Sequence, residues 1–271
     1  MARKILQTII DERPVDHGIR RSLSFRLGED GASVPAILQL PPPPRLAPAV
    51  LLLHGWSSHK EQMASTLGRA LLAHGIASLA IDLPLHGERS DANVLRGSFD
   101  PIALVREYRA ALSEGELALR YLSAHPAVDP GRIAMAGYSL GSYITLAIAA
   151  REPVVKAVIL AAGGDLPHES PFTRLLRPLA DPISAVKRLA GRPLLMVHGR
   201  HDRTIRPEQA ERLFAAAGEP KTMQWWDAGH YLPEAAVAGA AAWLEDRLAT
   251  MQSTQSTQST QSTPSNNGRA S

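Results

Sequence analysis

Five short apolar runs punctuate the middle of the chain: APAVLLLHG (47–55), IASLAID (76–82), RIAMAG (132–137), VKAVILAAG (155–163) and RPLLMVHG (192–199). Runs this short and this continuously apolar fit strands buried on both faces, as in parallel sheets. Segments of helical length separate them. Ser58-x-x-Glu61 reads as a capping box opening a helix to about His74. A long helix spans about Pro101 to Ser123, and LGSYITLAIAA (140–150) gives another. Further helices are expected near 182–190, from about Pro207, and over PEAAVAGAAAWLEDRLAT (233–250), with KTMQWWD (221–227) as the last strand. Three strands, ILQTII, SLSFRL and VPAILQL, precede a proline run at 41–44 that reads as a stiff connector. Such alternation predicts an α/β fold: a mainly parallel central sheet flanked by helices on both faces.

A length of 271 residues suits one large α/β domain or two small ones. Residues 1–250 read as the α/β domain. From 251 to 271 the chain repeats QST and offers almost nothing apolar to bury, so a disordered tail is expected. Residues 163–192 separate two strands by more than an ordinary loop, and four prolines break the stretch up. Its first part, 163–181, reads as a small lid whose Phe172, Leu175 and Leu176 could face an acyl pocket or pack on the scaffold.

A net charge of +3 with no Lys/Arg block gives no reason to expect a nucleic-acid partner. The chain has no cysteine, which excludes disulfides, thiolate metal sites and a Cys nucleophile. No stretch approaches the roughly 20 apolar residues of a membrane span, and ILQTII is too short and too polar for a signal peptide core. A cytoplasmic protein without a membrane partner is the expectation.

Ligands of open α/β sheets gather outside the carboxyl ends of the strands, so the side chains at those ends matter most. Gly137-Tyr138-Ser139-Leu140-Gly141 joins an apolar strand to a helix. A sharp turn there projects Ser139, and the helix N-terminus behind it favours developing negative charge. A serine hydroxyl needs a base within reach and a third group to orient that base. His230 follows the last strand, and Asp202 follows the strand before it. Asp165, Asp181 and Asp227 are rivals for the acid; Asp181 falls in the apparent insertion and Asp227 directly on the last strand, so these two are less well placed. The order Ser139, Asp202, His230 is the one an α/β-hydrolase arrangement requires. The backbone N–H groups of Trp56 and Leu140 are the candidate oxyanion donors. His54, at a strand end, reads as a brace for its turn. His86, Glu88 and Arg89 could touch substrate or hold one another, and His86, Tyr138 and Phe172 are candidate pocket residues.

With these residues in view, the sequence resembles serine esterases of the α/β-hydrolase superfamily, in the branch of dienelactone-hydrolase-like proteins and small bacterial carboxylesterases. The resemblance rests on His54-Gly55-Trp56, DLPLHGERS (82–90), Gly137 to Gly141, VHGRHDRTIRP (197–207) and AGHYLP (228–233). It implies Ser139 as nucleophile, His230 as general base and then acid, and Asp202 as the group orienting His230. It also implies hydrolysis of carboxylic esters with short to medium acyl chains, through an acyl-enzyme and without a metal or organic cofactor. Dienelactone hydrolases proper carry cysteine where Ser139 stands, so simple ester hydrolysis is expected over lactone opening. Amide or acyl-peptide hydrolysis, and a non-catalytic binding role on the same fold, remain as alternatives.

Overall fold

The computed structural model describes residues 4–90, 101–167, 177, 181–189 and 191–261. Three strands, β1 (Ile5–Val15), β2 (Gly18–Leu27) and β3 (Val34–Leu40), open the chain, followed by β4 (Ala47–Leu53). Helix α1 (Lys60–Met63), a π-helical turn (Ala64–Gly68) and α2 (Arg69–Ala73) lead to β5 (Ala77–Ile81). Then come α3 (Pro101–Ser123), β6 (Val128–Tyr138), α4 (Leu140–Ala149) and β7 (Val155–Ala161). The last part comprises α5 (Pro182–Lys187), β8 (Leu194–Gly199), α6 (Pro207–Ala216), β9 (Lys221–Trp226) and α7 (Glu234–Gln261).

The strands form one sheet in the order β1-β2-β3-β5-β4-β6-β7-β8-β9. The first three neighbour pairs are antiparallel, and the five pairs from β5-β4 to β8-β9 are parallel. Short local turns can join the N-terminal strands, whereas the later ones need helical crossovers. The sheet is therefore mainly parallel, and β4, at its centre, is almost wholly buried.

The two-residue pleat sorts each strand between two cores. On one face Leu51, Leu53 and Met135 pack with Leu119 and Leu122 of α3, Ile144 and Ile148 of α4, Val186 of α5 and Leu213 of α6. On the other, Val50, Leu52 and Ala136 pack with Met63, Leu67 and Leu71 and with Leu244 and Leu248 of α7. Burying each such leucine or isoleucine contributes about 1.5–3 kcal/mol before entropy is counted.

Three expectations need correction. Ser58 does not cap the first helix. The N-cap is His59, and the Ser58 hydroxyl instead donates to Gln62 Oε1 at 2.5 Å while Glu61 pairs with Arg20 across to β2. The helix also is not regular, because it passes through the π-helical turn at 64–68. At the other end, α7 continues to Gln261, eleven residues into the stretch expected to be disordered. The QST repeats contain no Gly or Pro before Pro264, and extending a formed helix adds one hydrogen bond per residue fixed without a new nucleation cost. Residues 262–271, and most of the predicted lid at 163–181, lie outside the described residues.

Candidate active site

Ser139 stands between β6 and α4 with φ 50° and ψ −113°. A side-chain-bearing residue in that region costs on the order of 1–3 kcal/mol and persists only where its surroundings impose it. They do so here: the Ser139 N–H donates to Ala161 O at 2.9 Å, and its carbonyl accepts the Ser142 N–H at 2.9 Å and the Ser142 hydroxyl at 2.6 Å. The flanking glycines are demanded by close approach. A Cβ on Gly137 would fall 2.2 Å from the Gly141 carbonyl oxygen, and one on Gly141 would fall 2.2 Å from that of Leu53. The helix start is thus pressed onto β4 and β6, and the serine side chain is raised at the strand ends.

Asp202 lies in the turn after β8 and is buried. Its Oδ1 accepts the N–H groups of Thr204 at 2.8 Å and Ile205 at 3.0 Å. Its Oδ2 lies 2.8 Å from His230 Nδ1. His230 sits in the loop between β9 and α7, with Nε2 3.0 Å from Ser139 Oγ. Backbone packing brings the two loops together: Arg200 N–H donates to Trp226 O at 2.8 Å and His201 N–H to Ala228 O at 2.9 Å. A side chain on Gly199 would not fit, since its Cβ would fall 2.1 Å from the Gly229 carbonyl oxygen. The rival acids are engaged elsewhere. Asp165 pairs with Arg212 at 3.2 Å, Asp181 accepts from Ser184 at 2.6 Å, and Asp227 pairs with exposed His201 at 2.7 Å.

The turn after β4 completes the surroundings. A Cβ on Gly55 would meet the Ser139 Cβ at 3.3 Å, so this backbone runs directly beside the serine. His54 braces the turn, with Nδ1 2.7 Å from Gly55 O and Nε2 accepting the Leu83 N–H at 3.0 Å. Burial pulls the pKa of His54 down to about 4, so it stays neutral in this role. Behind it, buried Asp82 is compensated by Lys60 Nζ at 2.7 Å, and Glu88 reaches the same ammonium at 2.6 Å. Arg89 grips Glu114 at 2.9 Å. The 82–90 loop therefore ties Glu88 and Arg89 to the scaffold.

A cleft of about 460 Å³ opens at Ser139. Trp56, Tyr138, His230 and Tyr231 line it near the serine, and residues of the π-helical turn and α7 line it deeper in. Tyr138 is thus in the cleft wall, as the sequence suggests, and its hydroxyl also donates to the His230 carbonyl. His86 is not among the lining residues. Its Nδ1 turns back to Pro84 O at 2.7 Å and its ring packs edge-on behind that of Trp56. Phe172, Leu175 and Leu176 lie outside the described residues.

Two features escaped the sequence. His198, fully buried on β8, bonds through Nε2 to Ile205 O at 2.9 Å and lies 3.6 Å from Asp202 Oδ2, so it braces the turn that holds the carboxylate. Burial lowers its pKa. Nothing in a lone strand histidine announces this. The deep wall formed by α7 was also missed, although the alanine-rich PEAAVAGAAAW carries a trace of it. Among the described residues no cluster of His, Asp and Glu is arranged to hold a metal ion, and no helix is long and apolar enough to cross a membrane.

Known proteins share this fold and parts of this sequence. Over 182 residues, or 64% of this chain, it is 31% identical to an uncharacterised protein, Rv2307c, of Mycobacterium tuberculosis, and spans 59% of that protein's length. It is 27% identical to Esterase YjfP of Escherichia coli over 198 residues, covering 64% of this chain and 75% of the esterase. A cold-adapted esterase from an Arctic intertidal metagenomic library superposes with a TM-score of 0.69 at 23% identity, over 91% of this chain and 99% of the other, a likeness of fold. The model of the alpha/beta hydrolase family matches residues 50–189. With a family match over half its length, the nine-strand order and the strand-end serine, this chain belongs to the alpha/beta hydrolase family.

Proposed function

We propose that this protein is a serine esterase that hydrolyses carboxylic esters through Ser139, His230 and Asp202. One observation carries the proposal: a single imidazole, that of His230, lies within hydrogen-bond distance of both the Ser139 hydroxyl and the Asp202 carboxylate. The similarity to Esterase YjfP supports ester substrates.

In the reaction, Ser139 Oγ attacks the ester carbonyl carbon and His230 Nε2 takes its proton. Asp202 keeps Nδ1 protonated, so Nε2 is the free base, and its negative charge favours the imidazolium that forms. The negative oxygen of the tetrahedral intermediate accepts the N–H groups of Trp56 and Leu140, neither of which has a hydrogen-bond partner among the described residues. The imidazolium gives its proton to the departing alkoxide, and the alcohol leaves with the acyl group bonded to Ser139. Water then surrenders a proton to His230 and adds its hydroxide to the acyl carbon. Collapse releases the carboxylic acid and returns the proton to Ser139 Oγ.

The test is hydrolysis of p-nitrophenyl butyrate by wild type and Ser139→Ala. A loss of about 10,000-fold or more in kcat is expected, together with fluorophosphonate labelling of the wild-type serine. Undiminished turnover by a folded Ser139→Ala protein would reject the mechanism.

A further inference from the structure

The cleft does not end at the catalytic groups. It runs below Ser139 into the layer between the sheet and the helices of one face. Its sheet side is made by Ile159 of β7 and Val197 of β8, both almost wholly buried. Its helix side is made by Met63 and Leu67, on either side of the start of the π-helical turn, and by Ala236 and Ala240 one turn apart on α7. The cleft, about 460 Å³ with its open mouth included, reaches into this packed layer, and that extension needs a reason because interiors tolerate few voids larger than a water molecule.

Two local departures leave the room. The π-helical turn changes the helix phase where it faces the cleft, a distortion that recurs at functional sites. Its Gly68 sits with backbone against the sheet; a Cβ there would fall 2.3 Å from Gln39 Oε1. Opposite, α7 turns alanines toward the sheet where larger apolar residues, such as Leu244 and Leu248, occupy that face one and two turns further on.

The chemistry of the lining selects the occupant. Among the described residues, no Asp, Glu, Lys or Arg borders the cleft. Three polar residues of its rim are tied to one another: Ser58 Oγ to Gln62 Oε1 at 2.5 Å and Thr66 Oγ1 to Gln62 O at 2.6 Å. An uncharged, apolar chain is what such walls accommodate without stranding a polar group. Of the two halves of an ester, the alcohol must depart before water attacks, whereas the acyl group stays bonded to Ser139 until the end. The enclosed part of the cleft suits the acyl group, and the open part, beside half-exposed Trp56 and exposed Tyr231, suits the leaving alcohol.

We infer that the cavity between the sheet and α7 is an acyl pocket for unbranched apolar chains of medium length, with Ala236 and Ala240 setting where the chain must end. The assignment rests on the serine-esterase proposal above and adds a substrate class to it: medium-chain fatty acyl esters, rather than acetyl esters or esters of charged acids. A methylene placed in a fitted apolar pocket changes kcat/KM by about tenfold or more, and a leucine at 236 or 240 fills the space a medium chain needs while leaving room for an acetyl group.

The test compares kcat/KM for p-nitrophenyl hexanoate and p-nitrophenyl acetate in wild type, Ala240→Leu and Ala236→Leu. The chromophore is common to both esters, so their ratio reports the acyl half alone. Both esters are assayed on one sample, so any misfolded fraction cancels from the ratio. Wild type should prefer hexanoate by at least about tenfold, and each leucine should lower that preference by about tenfold or more. A ratio near one in wild type, or an unchanged ratio in both variants, overturns the acyl-pocket assignment while leaving the esterase intact. Absence of hydrolysis of either ester, with Ser139 unlabelled by a fluorophosphonate, overturns the serine mechanism and the pocket assignment with it.

Discussion

His230 Nδ1 meets Asp202 Oδ2 at 2.8 Å, while the other oxygen of that carboxylate is held by two backbone N–H groups of its own turn. The carboxylate therefore cannot swing toward a different partner. Asp202→Asn preserves size but offers an amide that drives the imidazole toward the wrong tautomer. A fall of about 10,000-fold in kcat for p-nitrophenyl butyrate is expected, with only a small change in the unfolding midpoint. A variant retaining more than a tenth of wild-type kcat would show that Asp202 does not orient the base.

Tyr138 reaches across from the end of β6 to donate to the His230 carbonyl. Burial pushes its pKa up to about 12, so it stays a donor throughout the working range. It is a positioning residue for the histidine loop. Tyr138→Phe should lower kcat by about 10–100-fold, since small misplacements of a reacting group cost that much. The rate of fluorophosphonate labelling at Ser139 should fall in parallel. A purely structural role would lower stability and leave the labelling rate of the folded protein unchanged.

Two glycines separate backbone collision from side-chain crowding. On Gly141 an added Cβ meets the main chain of Leu53 at 2.2 Å; on Gly115 it meets the side chain of Ile148, whose terminal carbon is nearest at 2.4 Å. The first neighbour cannot give way and the second can rotate. Gly141→Ala should cost about 3 kcal/mol or more. Gly115→Ala, in the middle of α3, should stay within about 1 kcal/mol of wild type, because helix propensity offsets the repacking. Denaturant unfolding of the two variants checks the contrast, and equal losses would contradict it.

His54 links stability to pH. Its pKa is about 4 when folded and 6.5 when free, so between those values the unfolded chain binds the proton that the folded chain refuses. Stability must therefore fall as the pH drops from 6.5 toward 4, by on the order of 3 kcal/mol in all. Buried His198 acts in the same direction. Glu61, with its pKa lowered by its pair with Arg20, adds acid sensitivity only from about 4.5 downward, so measurements above that value isolate the histidines. His54→Gln keeps a donor and an acceptor without titrating. Thermal unfolding from pH 7 to pH 5 should show a visibly flatter slope in this variant than in wild type.

Much of this architecture was legible because its signals are local. Five apolar runs longer than a turn and shorter than a helix announce a buried parallel sheet, and β4 through β8 form where those runs lie. The glycines around Ser139 mark a tight strand-to-helix turn, and chain order suggested where an acid and a base should be sought. The misreadings have local causes too. Ser58 matched a capping pattern, but its hydroxyl found Gln62, and Glu61 found Arg20 on a distant strand. The QST repeats have the composition of a disordered tail, yet their first part continues a helix that tertiary packing of α7 had already nucleated.

The set of elements and the chemical kind of each strand end follow from periodicity and residue type within a few neighbours, so the order of residues carries both. Which distant groups meet depends on how the layers pack. Asp202 rather than Asp165, Asp181 or Asp227 faces His230 because the loops after β8 and β9 pack backbone to backbone. The cleft beneath Ser139 exists because a π-helical turn and a pair of alanines, 173 residues apart between Met63 and Ala236, happen to oppose each other across the same sheet face. Such distances are fixed by the packing of whole layers, and no short stretch of sequence carries them.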